Sequence, residues 1–214
     1  MKLHGYWRSS TSYRLRIALG LKGLEYEQVA VNLLDGEQRS AEYRRLNPYG
    51  GVPALEIDGR VYAQSMAILE WLDESFPDRP LLPRDVEDRF ASRELAMAIA
   101  TELHAPLNLP VLKYLKHDLG HGQEEVDAWY RHWIARTFEG VEARLAEREA
   151  GDYLFDAPGL FECVLMPQLY NARRFSCDLD GYPHLIRIEA ACREHPAFVA
   201  AHPDNQADRQ PDRT

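Results

Sequence analysis

Along the first eighty residues the apolar positions switch repeatedly between a period of two and a period near three and a half. Lys2 to Trp7 reads as a short strand that runs into four hydroxyl residues, Ser9, Ser10, Thr11 and Ser12, which are preferred helix caps. Leu15, Ala18, Leu19 and Lys22 then recur at helical spacing until Gly23 stops the run. Glu25 to Val31 alternates as a second strand, and Gln38 to Leu46 is a short polar helix or turn. Val52 to Ile57 and Arg60 to Ala63 flank Asp58-Gly59, a two-residue hairpin signal, and Met66, Leu69, Leu72 and Phe76 return to helical spacing. The order is β-α-β-α-β-β-α. Pro77, Pro80 and Pro83 interrupt both periods, and the segment 77–84 is read as a linker. Everything beyond it is helical: about 88–119, 124–150, 161–175 and 183–195. The expected architecture is an α/β amino-terminal domain over 1–80, an all-α domain over 88–201 and a disordered tail over 202–214, where large apolar residues are missing.

Charge narrows the function. With 34 acidic against 25 basic residues in 214, the formal net charge is −9, which argues against a general binder of nucleic acid or of anionic membranes. An anionic small molecule would need local cations working against that field, so isolated arginines carry weight. Cys163, Cys177 and Cys192 show neither CxxC nor Cys/His ligand spacing and are read as reduced, with no metal site. Met1 to Trp7 is too short and polar for a signal peptide, and no stretch reaches the roughly 18 apolar residues of a membrane span. A cytoplasmic location is expected.

Three segments carry candidate chemistry. A helix N-terminus offers unpaired N–H groups and partial positive charge, so the Ser9–Ser12 cluster can hold an anion; taken alone it reads first as plain capping, and Arg8 immediately before it raises the anion reading. In Asn47-Pro48-Tyr49-Gly50-Gly51-Val52-Pro53, a cis Val52–Pro53 bond would present the backbone of Val52 to a bound peptide. A trans proline in a tight turn remains the alternative, since only about 5–6% of X–Pro bonds in folded proteins are cis. Gln64-Ser65 precedes a helix that Ser65 can cap, while the Gln64 amide can serve a ligand carboxylate.

Together, Tyr6 to Leu19, Asn47 to Leu55 and Gln64-Ser65-Met66-Ala67-Ile68 resemble the glutathione-binding half of zeta-class glutathione transferases, and more narrowly the maleylacetoacetate and maleylpyruvate isomerases among them. Met166 to Phe175 and Tyr182-Pro183 resemble the signature helix and following turn of that family, so the similarity spans residues 1 to 200. The resemblance implies a thioredoxin-like domain followed by an all-α domain, glutathione as cofactor and a homodimer. It also implies a cis Pro53 and glutathione contacts at Ser10, Thr11, Gln38, Val52, Gln64, Ser65, His104 and Asn108. His104 by itself is an ordinary helix-surface residue.

The implied activity is glutathione-dependent cis–trans isomerisation of a keto-dicarboxylate, maleylacetoacetate first and maleylpyruvate second, in tyrosine or aromatic-acid breakdown. A general glutathione transferase or peroxidase and a non-enzymatic interaction module are the other classes. Glutathione's thiol, like free cysteine, ionises near 8.5, so the protein must stabilise a thiolate; Ser10 is the first choice and Ser9 the second. Arg8 and Arg174 are the candidates for the substrate carboxylates, with Arg173 an alternative register for the latter. Three departures from the family pattern stand out. Thr11 occupies a position that is cysteine in many members. Pro110 replaces serine or arginine and is expected to kink its helix at about 3 kcal/mol. Gly159 and Glu162 replace a threonine–aspartate capping pair, so the capping box is expected to be half lost.

Overall fold

The structure, a computed structural model, describes residues 1–149 and 151–210. It divides into two compact units, one formed by Met1–Leu82 with the stretch from Arg193 onward, the other by Pro83–Cys192.

The first unit is built on a four-stranded sheet in the order β2-β1-β3-β4, from β1 (Lys2–Gly5), β2 (Glu27–Ala30), β3 (Ala54–Ile57) and β4 (Arg60–Ala63). β1 runs parallel to β2 and antiparallel to β3, and β3 antiparallel to β4. Leu3 pairs with Leu55, and both are fully buried, as the centre of a sheet covered by helices requires. Asp58 and Gly59 both take positive φ, 49° and 77°, the geometry of the tight turn that their residue types favour. Helix α1 (Ser10–Lys22) buries Tyr13, Leu15, Ile17, Ala18 and Leu19 and stops at Gly23, whose φ of 66° is the left-handed cap. With α2 (Ala41–Leu46) and α3 (Ser65–Ser75) it completes a thioredoxin-like domain.

The proline-rich linker is tied down. Lys22 Nζ, buried, pairs with Asp73 at 3.3 Å and donates to the carbonyls of Phe76 and Arg79 at 3.1 and 2.9 Å. Asp73 in turn accepts the Leu81 N–H at 2.5 Å.

The second unit is helical: α4 (Val86–Met97), α5 (Leu109–Lys113), α6 (Gln123–Ala146), α7 (Leu160–Arg174) and α8 (Pro183–Glu194), the last crossing into the boundary at Cys192. Three sequence-based expectations are corrected here, and the half-lost capping box of α7 is borne out. The helix expected over 88–119 is broken. Wide π-helical turns occupy Ala98–Leu103 and Tyr114–Asp118, and an irregular stretch carrying Pro106 separates α4 from α5. Pro110 kinks nothing: it lies in the first turn of α5, where its missing N–H would have had no helical partner, so the expected cost of about 3 kcal/mol does not arise.

The capping of α7 keeps its reciprocal half. The buried Glu162 carboxylate accepts the N–H groups of Gly159 and Leu154, each at 2.8 Å, while burial pushes its pKa up and these bonds pull it down. Glu162→Ala would strand two buried donors and is expected to cost about 2–4 kcal/mol. Chemical denaturation would reveal this, and a change below about 0.5 kcal/mol would contradict it.

The tail is the third correction. Residues from Arg193 group with the first unit rather than with the helical one, and regular turns continue past residue 202. Helix α9 (Pro196–Ala201) packs on α1, where Gly20 permits the approach: a Cβ there would lie 3.1 Å from that of Ala197. A 3₁₀ turn follows at Pro203–Asn205, and Asp208 bonds the backbone of Trp7. Polar bonds replace the missing apolar residues as anchors. The remainder of the expected tail, 211–214, lies outside the described residues.

Candidate active site

In the first unit the hydroxyl cluster divides its labour. Ser9 caps α1, its Oγ accepting the Ser12 N–H at 3.2 Å. The Ser12 hydroxyl, fully buried, accepts the Tyr6 N–H at 3.3 Å. Thr11 donates its only proton to the Val52 carbonyl at 2.8 Å, so the 2.9 Å bond between Ser9 Oγ and Thr11 Oγ1 must be donated by Ser9. A directed chain therefore runs from Ser9 through Thr11 to Val52. Its consequence is chemical: the Ser9 proton is committed to Thr11, while Ser10 stands at the first helical position of α1. Arg8, half-buried, sits with its guanidinium 5.1 Å from the centroid of the Trp7 ring.

The loop that receives Thr11 is rigidly held. The Val52–Pro53 bond is cis. Asn47 Nδ2 and Tyr43 Oη both donate to the Gly51 carbonyl, at 2.7 and 2.8 Å. Burial, offset by the Asn47 contact, pushes the Tyr43 phenol up to about 12, so it stays protonated and remains a donor.

Two glutamines look unemployed by the fold. Gln38, in a 3₁₀ turn over Glu37–Arg39, is buried with its Oε1 lacking a hydrogen-bond partner among the described residues. Gln64 is exposed and takes φ 71°, ψ 105° just ahead of α3, a strained conformation for glutamine worth roughly 1–3 kcal/mol, and its side chain does not cap the helix. Strain of this kind persists where a function uses it. Ser65 does not cap α3 either. It is the first helical residue, and its hydroxyl accepts from Arg14 Nη1 at 3.2 Å. Arg14, 1% exposed, thus places a positive charge behind the start of α3. Sequence reasoning missed it because it sits in an otherwise core-forming stretch, where only the presence of a charge among buried neighbours could have marked it.

The second unit carries a separate group of candidates. His104 directly follows the π-helical turn and donates its N–H to Ile99 at 2.9 Å. Its Nδ1 lies 3.3 Å from the Gln168 amide nitrogen, and Gln168 Oε1 accepts from Asn171 Nδ2 at 3.4 Å. With Gln168 donating, Nδ1 is the acceptor and the proton resides on Nε2, making His104 a donor at that atom. Gln168, fully buried in α7, is a second residue that sequence reasoning missed. Asn108 is exposed at the cap position of α5 without bonding the helix through its side chain. Arg173 forks onto the buried Glu189, its Nε 2.8 Å from Oε1 and its Nη2 on Oε2. Arg174 lies 3.5 Å from Asn171 Oδ1 and over the Phe175 ring. The two neighbours thus differ in their contacts: Arg173 is bound to the buried Glu189, and Arg174 meets Asn171 and Phe175.

None of the protein's own sulfurs suits nucleophilic work. The three cysteines form no disulfide, Cys163 and Cys192 are buried, and burial raises the pKa of Cys177 and Cys192. Among the described residues no cluster of His, Cys, Asp and Glu fits a metal ion, and no helix is long and apolar enough to cross a membrane.

Residues 8–75 match the family of the glutathione S-transferase N-terminal domain. A probable maleylacetoacetate isomerase of Vibrio cholerae is 46% identical over 96% of this chain and 97% of its own. The holo structure of a bacterial maleylpyruvate isomerase, described as a zeta-class glutathione transferase, superimposes with a TM-score of 0.96 at 43% identity, covering 98% of this chain and 100% of that one. The chain belongs to the zeta class of the glutathione transferase family. A maleylacetoacetate isomerase of Anaeromyxobacter dehalogenans, solved with dicarboxyethyl glutathione and citrate in its active site, is 42% identical with a TM-score of 0.87 over 99% of this zeta-class chain and 94% of its own.

Proposed function

We propose that the protein is a glutathione-dependent cis–trans isomerase that converts maleylacetoacetate to fumarylacetoacetate. The observation that carries this reading is a hydroxyl-lined helix start beside an arginine in a chain whose own thiols are suppressed: the site is built for a sulfur anion that the protein does not itself contain. The residues fit glutathione. Gln38 has a buried unsatisfied oxygen, Gln64 holds a strained conformation with no structural duty, and Arg14 and Ser65 set a positive terminus for a carboxylate. The Val52 backbone beside the cis proline offers a strand-like partner to its peptide, and Thr11 acts on that loop rather than on the ligand directly.

When bound, glutathione supplies the thiolate whose reversible addition to the conjugated double bond turns it into a single bond, permits rotation and restores it on leaving. Ser10 donates to the sulfur, and the α1 dipole stabilises its charge. Arg8 in the first unit and Arg174 in the second are the arginines whose charge suits substrate carboxylates, and His104, a donor at Nε2, and Asn108 are the polar groups of the second unit suited to a ligand. The first unit is the glutathione-binding domain and the helical unit the substrate domain.

A second reading, the same chemistry on maleylpyruvate, is favoured by the near-complete superposition on a maleylpyruvate isomerase. Following the enol absorbance of each cis diacid with and without glutathione decides between them, and equal rates without glutathione would sink both. We place the protein in the cytoplasm as a homodimer without nucleic-acid or membrane partners. The exposed row of Val86, Phe90 and Met97 on α4 is the face that a second copy would cover, and light scattering that returns a single-chain mass would overturn this assignment.

A further inference from the structure

We propose that the carboxy-terminal segment 201–208 is a strap that positions Trp7 and Arg8, with Asp208 and Arg16 as its positioning residues; the catalytic consequence rests on the function proposed above. Between β1 and α1 the chain makes a turn over Tyr6–Ser9, closed by the Ser9 N–H on the Tyr6 carbonyl at 3.0 Å. Trp7's backbone in that turn is held on one side from the carboxy-terminal segment and on the other from α1. Its N–H donates to Asp208 Oδ2 at 3.0 Å, across 201 residues of sequence. Its carbonyl accepts from Arg16 Nη2 at 2.9 Å, while Arg16 Nη1 reaches the Tyr6 carbonyl at 3.4 Å and Nε the Ala201 carbonyl at 2.9 Å.

Arg16 is 1% exposed, so this three-way fork sits where carbonyls have no water to compete for. Trp7 is 3% exposed, and its ring carries the Arg8 guanidinium. The position of the Arg8 charge is thus set by Trp7, and that of Trp7 by the strap.

The strap is itself a built element. Gln206 Nε2 donates to the carbonyls of Ala200 and His202, both at 2.9 Å, and Asn205 Nδ2 to that of Val199 at 2.8 Å. The His202 ring meets the Tyr13 ring edge-on at 6.1 Å, and Asp204 pairs with Arg209 at 3.1 Å. A carboxylate on the Trp7 N–H is worth more than a neutral acceptor, and a displacement of about 1 Å in a positioning element can cost about 100-fold in rate.

The test compares full-length wild type with Asp208→Ala and Asp208→Asn in two assays: isomerase kinetics, and calorimetry of malonate binding to the glutathione-saturated protein as a probe of the dicarboxylate site. Asp208→Ala is expected to lower kcat/KM for the diacid and to weaken malonate binding, each by about tenfold or more, with KM for glutathione within about twofold of wild type. Asp208→Asn, which keeps an acceptor oxygen, recovers most of both. Wild-type kinetics and malonate affinity in Asp208→Ala would overturn the strap. So would an asparagine variant as impaired as the alanine one, or a loss shared equally with glutathione binding. If Asp208→Ala does not fold, Asp208→Glu, which displaces the acceptor by one methylene, takes its place with the same expectations. A wild type that binds malonate but isomerises neither diacid refutes the isomerase reading alone, and the strap is then decided on malonate affinity.

Discussion

Ser10→Ala is expected to lower kcat for glutathione-dependent isomerisation by about 10²–10³-fold, the usual effect of removing one donor aimed at a developing or resident anion. The bond chain explains why the loss should fall on this serine rather than its neighbour. Thr11 spends its proton on Val52, and Ser9 spends its own on Thr11, so neither can donate to sulfur without breaking a bond that the fold uses. Ser9→Ala removes a helix cap and should cost about 1 kcal/mol of stability, with a smaller effect on kcat. The pH profile supplies a second readout. In wild type the acid limb lies below the free thiol's value near 8.5, and in Ser10→Ala it moves up toward it. Full activity in Ser10→Ala with loss in Ser9→Ala would reverse the assignment.

Arg174→Ala is expected to reduce kcat/KM for the diacid by about 100-fold, or roughly 2.7 kcal/mol at 1.36 kcal/mol per tenfold, because a paired carboxylate loses a charge-assisted fork. Arg174→Lys should recover only part of this, since an ammonium is a point charge without the planar fork. Arg173→Ala should behave differently. It removes the Arg173 fork from the buried Glu189, so the loss is one of stability, about 1.5–3 kcal/mol, with activity per folded molecule retained. Steady-state kinetics paired with denaturation curves separate the two. Equal kinetic damage from both substitutions would refute the assignment of Arg174 to the substrate.

How far the site could be read from residue order differs between its parts. Ser9 to Ser12, Val52-Pro53 and Gln64-Ser65 are each contiguous, and contiguity makes a motif legible. The hairpin at Asp58-Gly59 and the stop at Gly23 were equally plain, because each needs a backbone conformation that few residue types adopt. The roles of Arg14, Gln168 and Glu162 were not legible in that way. Each is a polar group buried against a partner that local pattern does not reveal, such as Ser65, His104 or the Leu154 backbone. Pro110 was misjudged for the opposite reason: a proline's effect depends on whether its residue lies inside a helix or in its first turn, and the break in the helix upstream decided that.

By itself the sequence determined the alternation of elements, the four-stranded unit and the helical unit, since these follow from periodicity and local backbone preference, while its contiguous motifs carry the resemblance to the family. Tertiary structure alone decided which partner each of several chemically equivalent groups takes. It committed the Ser9 proton to Thr11, bound Arg173 to Glu189 and folded residues 202–208 back onto Trp7. The physical reason is common to all three. A hydroxyl has one proton, a guanidinium one charge and a peptide one N–H, and which partner takes each is a matter of distance in space that spacing along the chain does not encode.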